Sequence, residues 1–593
     1  MTAINPTVFD VPRQGRWQPV SLRTIYEHGI FLLVLVAVSA PLVFLVLGSF
    51  STSSMPGSFS FSEMGLTNYA KTWLDPELYG LFWNTFVYVA GSTAVGITVA
   101  AAMAWLAERS DMPGKIWIYA GVPMTLAIPG MLQAMAWILL LSPRVGFANK
   151  AIADVFGLDS LPFNIYTLAG MVFVEGLRLV PTAFLMLVPL LRSMDPSLEE
   201  AAAMSGASPQ RMLRKISLML MLPGLTAVLI YQGLTALEVF EVPGILGLPV
   251  GIHVFSTKIY SILSSVSFVP AYGEANALSI LYVAVAIFAT ILYARIIAKS
   301  ERYTIVTGKG YRPRLQKLGR WKYAAVSFVL IFLLLSAVAP FLVLAYISFL
   351  PYLQIPSAEA FASMTWNNYR EVFKAELIGT VLWNTILMVS VTSTATAVLS
   401  FLVSLVIVRS KFWGRKILDQ LAFLPHAIPG MVMGLAMLWI FLQVDKIGIP
   451  LFGTIWAISI AFTIGFMSYG TRAMNAAILQ IHKDLEEAAS ISGAPQWRVM
   501  WRVFVPLLMP SFIGVWIWTL LHAIRIAGTP LLLYEGAENQ VLAVMIWNMW
   551  DEGYVTTVGA IGTMLMIFLL LLTLGLRVFG FGRGAHIQGD KSK

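Results

Sequence analysis

Long apolar runs alternate with short polar segments along nearly the whole chain. A membrane-spanning helix needs about 20 predominantly apolar residues, and twelve runs reach that length. They lie near 29–50, 82–107, 117–141, 167–191, 217–238 and 275–298, then near 324–349, 380–408, 418–443, 453–474, 506–529 and 556–580. The runs are continuously apolar instead of alternating, so they predict helices and not the strands of a barrel. The predicted fold class is therefore an all-α membrane protein with twelve transmembrane helices.

The two halves of the chain share short motifs at fixed separations. Asn-Tyr, Trp-Asn-Thr, Arg-Ser and Ile-Pro-Gly each recur 300 positions apart, beginning at 68, 83, 109 and 128. Further along, the separation falls to 287, as for Pro223 and Pro510, so the first half carries 13 additional residues around 142–166. Each half has six spans, an even number, and the halves should therefore share one orientation as two parallel six-helix repeats.

Charge sets the orientation and excludes some classes of protein. Only 12% of residues are charged, against about 25% in soluble proteins, and 58% are hydrophobic. Lys and Arg concentrate in 295–323 and in the segments on that side of the predicted membrane, which predicts a cytoplasmic location. These cations mark topology, so lipid is an expected partner and nucleic acid is not. The absence of cysteine excludes thiolate metal sites and disulfides.

The predicted organisation has five parts. A cytoplasmic tail, 1–28, precedes a first six-helix domain, 29–298; a basic cytoplasmic linker, 299–323, leads to a second six-helix domain, 324–580, and a cytoplasmic tail, 581–593.

One polar segment occurs twice, once in each half, between spans four and five. The copies read LEEAAAMSGASPQRMLRKISLMLMLP at 198–223 and LEEAASISGAPQWRVMWRVFVPLLMP at 485–510. Glutamate near the start suits the positive end of a helix, and alanine is the best helix former. A glycine should then end each helix with a left-handed turn. The pattern predicts two docking helices for two copies of a soluble partner, carried by Glu199, Glu200, Ala201, Ala202 and Gly206 in the first copy and by Glu486, Glu487, Ala488, Ala489 and Gly493 in the second. The alternative is an amphipathic helix that lies on the membrane surface.

These two segments resemble the E-A-A coupling motif of binding-protein-dependent ABC importer permeases. The motif continues through a glycine to I-x-L-P, and Met219 departs from it where proline is usual. The resemblance covers about 65–580 and implies the type I ABC importer transmembrane fold in the bacterial inner membrane. It also implies two copies of an ABC ATPase subunit that holds ATP and Mg, and a substrate-binding protein on the outer side.

The length of this fused form is similar to that of the ferric-iron permeases. The resemblance therefore implies ferric iron as the substrate, and the alternatives are thiamine, aminoethylphosphonate, polyamine and sugar phosphate, which relatives carry. Transport would proceed by alternating access of the two halves.

Two other classes of protein are an enzyme and a secondary transporter. The chain has neither a G-x-x-x-x-G-K-[ST] phosphate loop nor an H-E-x-x-H motif, so it is not expected to be an enzyme or to bind a cofactor or metal. A secondary transporter with parallel six-plus-six repeats is the alternative class.

Ionisable residues inside spans are costly and often functional. Glu175 and Arg178 are spaced i, i+3 and should pair on one helix face. Glu238 and Arg525 are equivalent at the 287 separation, so they could pair across the axis between the halves as an outer gate. The remaining candidates, His426 and His522, are interpreted as packed core histidines, and the Ile-Pro-Gly sites as bends in span three.

Overall fold

The protein is described here by a computed structural model that covers residues 22–53, 61–192, 204–206, 208, 211, 215, 218–264, 270–300, 315–482, 484–493 and 495–580. Within these residues the chain is helical, with no named strand. Residues 1–21 of the predicted first tail, the predicted second tail, most of the linker and much of the first docking segment lie outside the described residues.

The first half contains six spans in the predicted order. They are Leu22–Phe50, Glu77–Arg109, the pair Trp117–Ala127 and Gly130–Leu141, Leu168–Arg192, Leu218–Glu238 and Tyr272–Ser300. Span one begins at Leu22, before the predicted position. Span five is followed by a short helix, Glu241–Leu246, and by an outer helix, Phe255–Leu263, which we call the first outer helix.

The second half repeats this order. Its spans are Trp321–Ser348, Glu376–Arg409, the pair Arg415–Ala427 and Gly430–Lys446, Ile455–Leu479, Met500–Ala523 and Val555–Gly580. A short helix, Gly528–Leu533, and a second outer helix, Leu542–Asp551, follow span five. Spans four, the short helices and the outer helices all start 287 positions after their first-half counterparts, so the predicted repeat extends to the helix boundaries.

By length and apolar composition, eight continuous helices of the described residues can cross a membrane, and three more spans are bent helix pairs. Ile455–Leu479 occupies the place of span four in the second half and is a further candidate by its length alone. Its 25 residues extend about 37 Å at 1.5 Å per residue, enough to cross a hydrocarbon core of about 30 Å. The chain is therefore a multi-pass membrane protein.

The Ile-Pro-Gly motifs break span three more sharply than a kink. The two helices of the pair meet at 96° in the first half and at 110° in the second. At each break Pro129 and Pro429 have extended backbone dihedrals, with ψ of 135° and 144°, because a proline nitrogen cannot continue the helix hydrogen bonds. The predicted bends are confirmed.

The two halves pack against each other in a reciprocal way. Span one of the first half packs on span three of the second, and span one of the second packs on span three of the first. The approach is close: a Cβ added at Gly48 would lie 2.9 Å from the fully buried Trp439 ring. Gln133 donates to the Ser336 carbonyl at 3.3 Å on the reciprocal side. This packing is what a parallel repeat around one pseudo-two-fold axis requires.

The predicted 13-residue surplus forms a structured outer segment. It includes the helix Phe147–Phe156, which has no helical counterpart between Lys446 and Ile455. Fully buried Asn149 holds the segment together, since its amide donates to the Phe163 carbonyl at 2.7 Å and accepts from the Phe163 N–H at 3.0 Å.

Buried hydrogen bonds explain why the shared motifs are polar. Asn68 donates to the carbonyls of Ser49 and Ser51, at 3.0 and 2.7 Å, and Asn368 donates to those of Ser348 and Leu350, at 2.9 and 2.7 Å. Each asparagine thus closes the end of span one in its half. In the Trp-Asn-Thr motif, the hydroxyls of Thr85 and Thr385 accept the backbone N–H groups of the first residues of the two outer helices.

We expect Asn368→Ala to lower the stability of the folded protein by about 1–3 kcal/mol, because it leaves buried carbonyls unpaired. The measurement is the apparent unfolding temperature of the purified permease in detergent. Asn367→Ala is the matched control, since Asn367 is exposed and its side chain donates to the exposed Glu371 instead of to buried carbonyls. Equal shifts for the two variants would contradict the capping role.

Candidate functional site

The second docking segment is a short exposed helix. It runs from Asp484 to Ile491; Glu487 and Ala488 are exposed and Ala489 is half-buried. Gly493 follows with φ of +72°, and Gly206 in the first copy has φ of +77°. Both glycines are therefore in the predicted left-handed turn. Glu486 belongs to the same helix, whereas Glu199, Glu200, Ala201 and Ala202 lie outside the described residues.

Among the described residues of each docking segment, the most exposed large apolar side chain is one that the sequence did not single out. Ile491 is 87% exposed and Met204 is 90% exposed. They are 287 positions apart, and each lies two residues before its turn glycine. An exposed apolar side chain at the same place in both copies indicates a contact reserved for a partner, because an isolated one would have no such repeat. The repeat separation was the signal that could have found them.

In each half an arginine links the end of span two to the end of span four; it is buried in the first half and partly buried in the second. Arg409, the last residue of span two, donates to the carbonyls of Ile478 and Ile481 at 3.0 and 2.5 Å, where span four ends. Arg109, which is 5% exposed, donates to the Leu191 carbonyl at 3.1 Å in the same place of the first half. A cation suits the negative end of a helix. The sequence showed these arginines only as part of the repeated Arg-Ser motif.

Glu238 and Arg525 lie where the sequence placed them, at the ends of span five in the two halves. They do not pair: of the ion pairs within 4.0 Å among the described residues, none joins them. Arg525 instead donates to the carbonyl of Leu126, beside the break in span three of the first half. The predicted pair is corrected on this point, because a helix break exposes a carbonyl that satisfies the arginine. A role of both residues in the path or gate stays a prediction.

Another carboxylate joins the two span-five breaks. Glu241 accepts the Ala527 N–H at 3.0 Å across the interface between the halves. The predicted pair of Glu175 and Arg178 is confirmed, with two hydrogen bonds of 2.6 and 2.8 Å and a fully buried Glu175. Arg178 runs past Gly130 at the break in span three, where an added Cβ would lie 3.0 Å from its Cδ. Glycine in the Ile-Pro-Gly motif therefore leaves room for this arginine.

The two histidines are packed against rings, as predicted. His426 stacks on Tyr231 with centroids 5.8 Å apart, and His522 stacks on Trp518 at 3.9 Å while its Nδ1 lies 2.8 Å from the Trp518 carbonyl. In the described part of the chain, no group of three or more His, Asp or Glu side chains is arranged to hold a metal ion.

Comparison with known proteins supplies the family. Residues 396–583 match the family described as binding-protein-dependent transport system inner membrane component. The ferric transport system permease protein FbpB of Actinobacillus pleuropneumoniae is 25% identical over 497 residues, which is 83% of this chain and 69% of that protein. A putative ferric transport system permease protein, FbpB 1 of Haemophilus influenzae, is 25% identical over 75% of this chain and 67% of its own. Residues 396–583 carry the domain of this family, and the chain as a whole is similar to ABC importer permeases. It resembles the ferric transport permeases.

A permease that is named for a different transported substrate is also similar. The sulfoquinovosyl glycerol transport system permease protein SmoG of Agrobacterium fabrum is 26% identical over 49% of this chain and 96% of that protein. The predicted family and fold are therefore confirmed, and the class of secondary transporters is set aside. Proteins of this kind are permease components, so ATP hydrolysis belongs to a separate subunit and this permease is not itself an enzyme.

Proposed function

We propose that this permease imports ferric iron across the bacterial inner membrane. The observation that carries the proposal is the extent of the similarity, since two ferric transport permeases align with 83% and 75% of the chain. A substrate-binding protein would deliver the iron on the outer side, in keeping with the family description. Since the described spans hold no cluster of His, Asp or Glu ligands, the coordination of the ion is assigned to that binding protein.

The energy would come from two copies of an ABC ATPase, which bind ATP and Mg. We assign their docking to Glu199, Glu200, Ala201, Ala202 and Gly206 and to Glu486, Glu487, Ala488, Ala489 and Gly493. Exposure of Glu487 and Ala488 in a helix that ends in a glycine turn supports this assignment. Closure of the ATPase pair would move the two segments together and change which side of the interface between the halves is open.

The test is uptake by proteoliposomes that contain the permease and its ATPase, with the iron-loaded binding protein outside. We expect ATP-dependent accumulation of radiolabelled iron that stops when the binding protein is left out. An ATPase variant that binds but does not hydrolyse ATP is the control for leakage. Absence of iron uptake by a complex that moves another ligand of the same binding protein would refute iron as the substrate and leave the permease assignment intact.

A further inference from the structure

The two outer helices meet at equivalent positions of the repeat. Tyr260 of the first outer helix and Trp547 of the second are 287 positions apart, and their ring centroids are 5.8 Å apart in an edge-on contact. Two residues related by a pseudo-two-fold axis can touch only if both lie close to that axis. This contact therefore marks the axis at the outer end of the interface between the halves.

A pocket of about 430 Å³ opens beside this contact. Two of its lining rings pack on the buried Phe240, whose ring centroid lies 5.0 Å from that of Trp547 and 5.2 Å from that of Tyr260. Gly244 also lines the pocket, and an added Cβ there would come within 2.6 Å of the Trp547 ring. Asp551 and Ser264, which line the pocket, are exposed, so the pocket opens to the surface.

The lining selects for a cation with a flat apolar face. It includes the rings of Tyr260, Trp547 and Trp550, the Asp551 carboxylate and the hydroxyls of Ser261 and Ser264, and it has no lysine or arginine. Burial and the nearby Asp551 raise the pKa of the Tyr260 phenol, so this ring stays uncharged at neutral pH. A guanidinium stacks on aromatic faces and bonds a carboxylate with its planar fork. A bare metal ion finds only one carboxylate here.

Charge around the pocket favours a basic partner. The segment 531–555 contains Glu535, Glu538, Asp551 and Glu552 and no lysine or arginine. Such a surface speeds encounter with a basic face and orients it. Tryptophan, tyrosine and arginine are also the residues that most often dominate protein interfaces.

We propose that the pocket receives an arginine side chain of the substrate-binding protein when that protein docks over the outer mouth. The inference rests on the proposed function only in assuming a binding-protein partner, and it is independent of iron.

The experiment measures binding of the purified binding protein, without its ligand, to the permease–ATPase complex in nanodiscs. Asp551→Asn should weaken binding about tenfold, and Trp550→Ala comparably, because each removes one side of the socket. Asp551→Glu should retain most of the affinity. Glu552→Gln is the matched control: it removes the same charge one residue away, outside the lining, and should change binding by about twofold or less.

Two outcomes would overturn the proposal. The first is an equal effect of Asp551→Asn and Glu552→Gln, which would reduce the pocket to general surface charge. The second is an effect of Asp551→Asn that appears only with the ligand-loaded binding protein, which would assign the pocket to the transported substrate. Alanine substitution of each arginine on the binding-protein rim should identify one whose effect is not additive with Asp551→Asn. Failure of iron transport would leave this measurement unchanged, because no iron is present in it.

Discussion

Reversing the charge of both docking segments, with Glu200→Arg and Glu487→Arg, should separate the permease from its ATPase. Glu487 is exposed on a short helix that the turn at Gly493 ends. An exposed helix of this kind receives little stabilisation from the rest of its half, so its acidic side chain is available to a basic partner. Truncating one member of a charge pair at an interface costs about 2–5 kcal/mol, which corresponds to roughly 30-fold to several thousand-fold in Kd. Reversal adds repulsion to that loss.

The measurement is copurification of the ATPase with the permease, together with ATP-driven uptake by reconstituted vesicles. Both should fall to near background in the double variant. Glu359→Arg with Glu376→Arg is the control, since it makes the same change of charge at two exposed residues of the outer side. Normal complex formation and transport in the Glu200/Glu487 variant would remove these segments from the docking surface.

The exposed apolar residues of the segments can be tested in the same assay. Met204 and Ile491 have no packing of their own to lose, so Met204→Ser with Ile491→Ser should weaken docking without lowering the stability of the permease. This expectation separates a contact surface from a structural one.

Periodicity and repetition predicted much of this structure. Each of the twelve apolar runs forms a helix or a bent pair of helices, and the two separations of 300 and 287 located the inserted outer segment. Features that depend on local sequence were also predicted correctly. The glycines at 206 and 493 adopt positive φ, and the Ile-Pro-Gly motifs break span three. Glu175 pairs with Arg178 one helical turn away. These features depend on residues near one another in sequence, so their physical causes can be read without tertiary contacts.

Contacts between distant segments could not be predicted in this way. The repeat relates Glu238 to Arg525 by symmetry, yet symmetry fixes neither the distance of a residue from the axis nor the direction of its side chain. Arg525 found the Leu126 carbonyl instead, which became available only because span three breaks. The aromatic contact of Tyr260 with Trp547 was equally hidden, since it depends on how close the outer helices come to the axis.

Replacing Arg109 and Arg409 together by glutamine should uncouple ATP hydrolysis from transport while leaving the ATPase bound. Each arginine ends span two and donates to the carbonyl end of span four, from which the chain enters the docking segment. The link therefore makes the segment move with two spans instead of one. A hydrogen bond from a charged group contributes about 1.5–3 kcal/mol, so each replacement should shift the balance between linked and loose arrangements by about tenfold or more.

The measurement is the ratio of ATPase activity with and without the binding protein, alongside the rate of uptake. We expect the ratio to approach one in the double variant and uptake to fall by at least about tenfold. Lysine at both positions should restore part of the coupling, because it keeps the positive charge at the helix end but lacks the planar guanidinium and its additional N–H donors. A variant that lost stability and nothing else would lower activity with and without the binding protein in equal proportion.

Arg472→Gln provides the matched control for this last prediction. Arg472 lies on span four as well, and it pairs with Asp419 at 3.1 Å in a partly exposed position. Such a pair contributes about 1 kcal/mol or less, and it does not touch the end of the span from which the docking segment emerges. The control should keep the stimulated ratio close to that of the unmodified permease. If Arg472→Gln and the Arg109/Arg409 variant reduced the ratio equally, the effect would belong to charge on the cytoplasmic side in general, and the two arginines would have no special place in transmitting the motion of the ATPase.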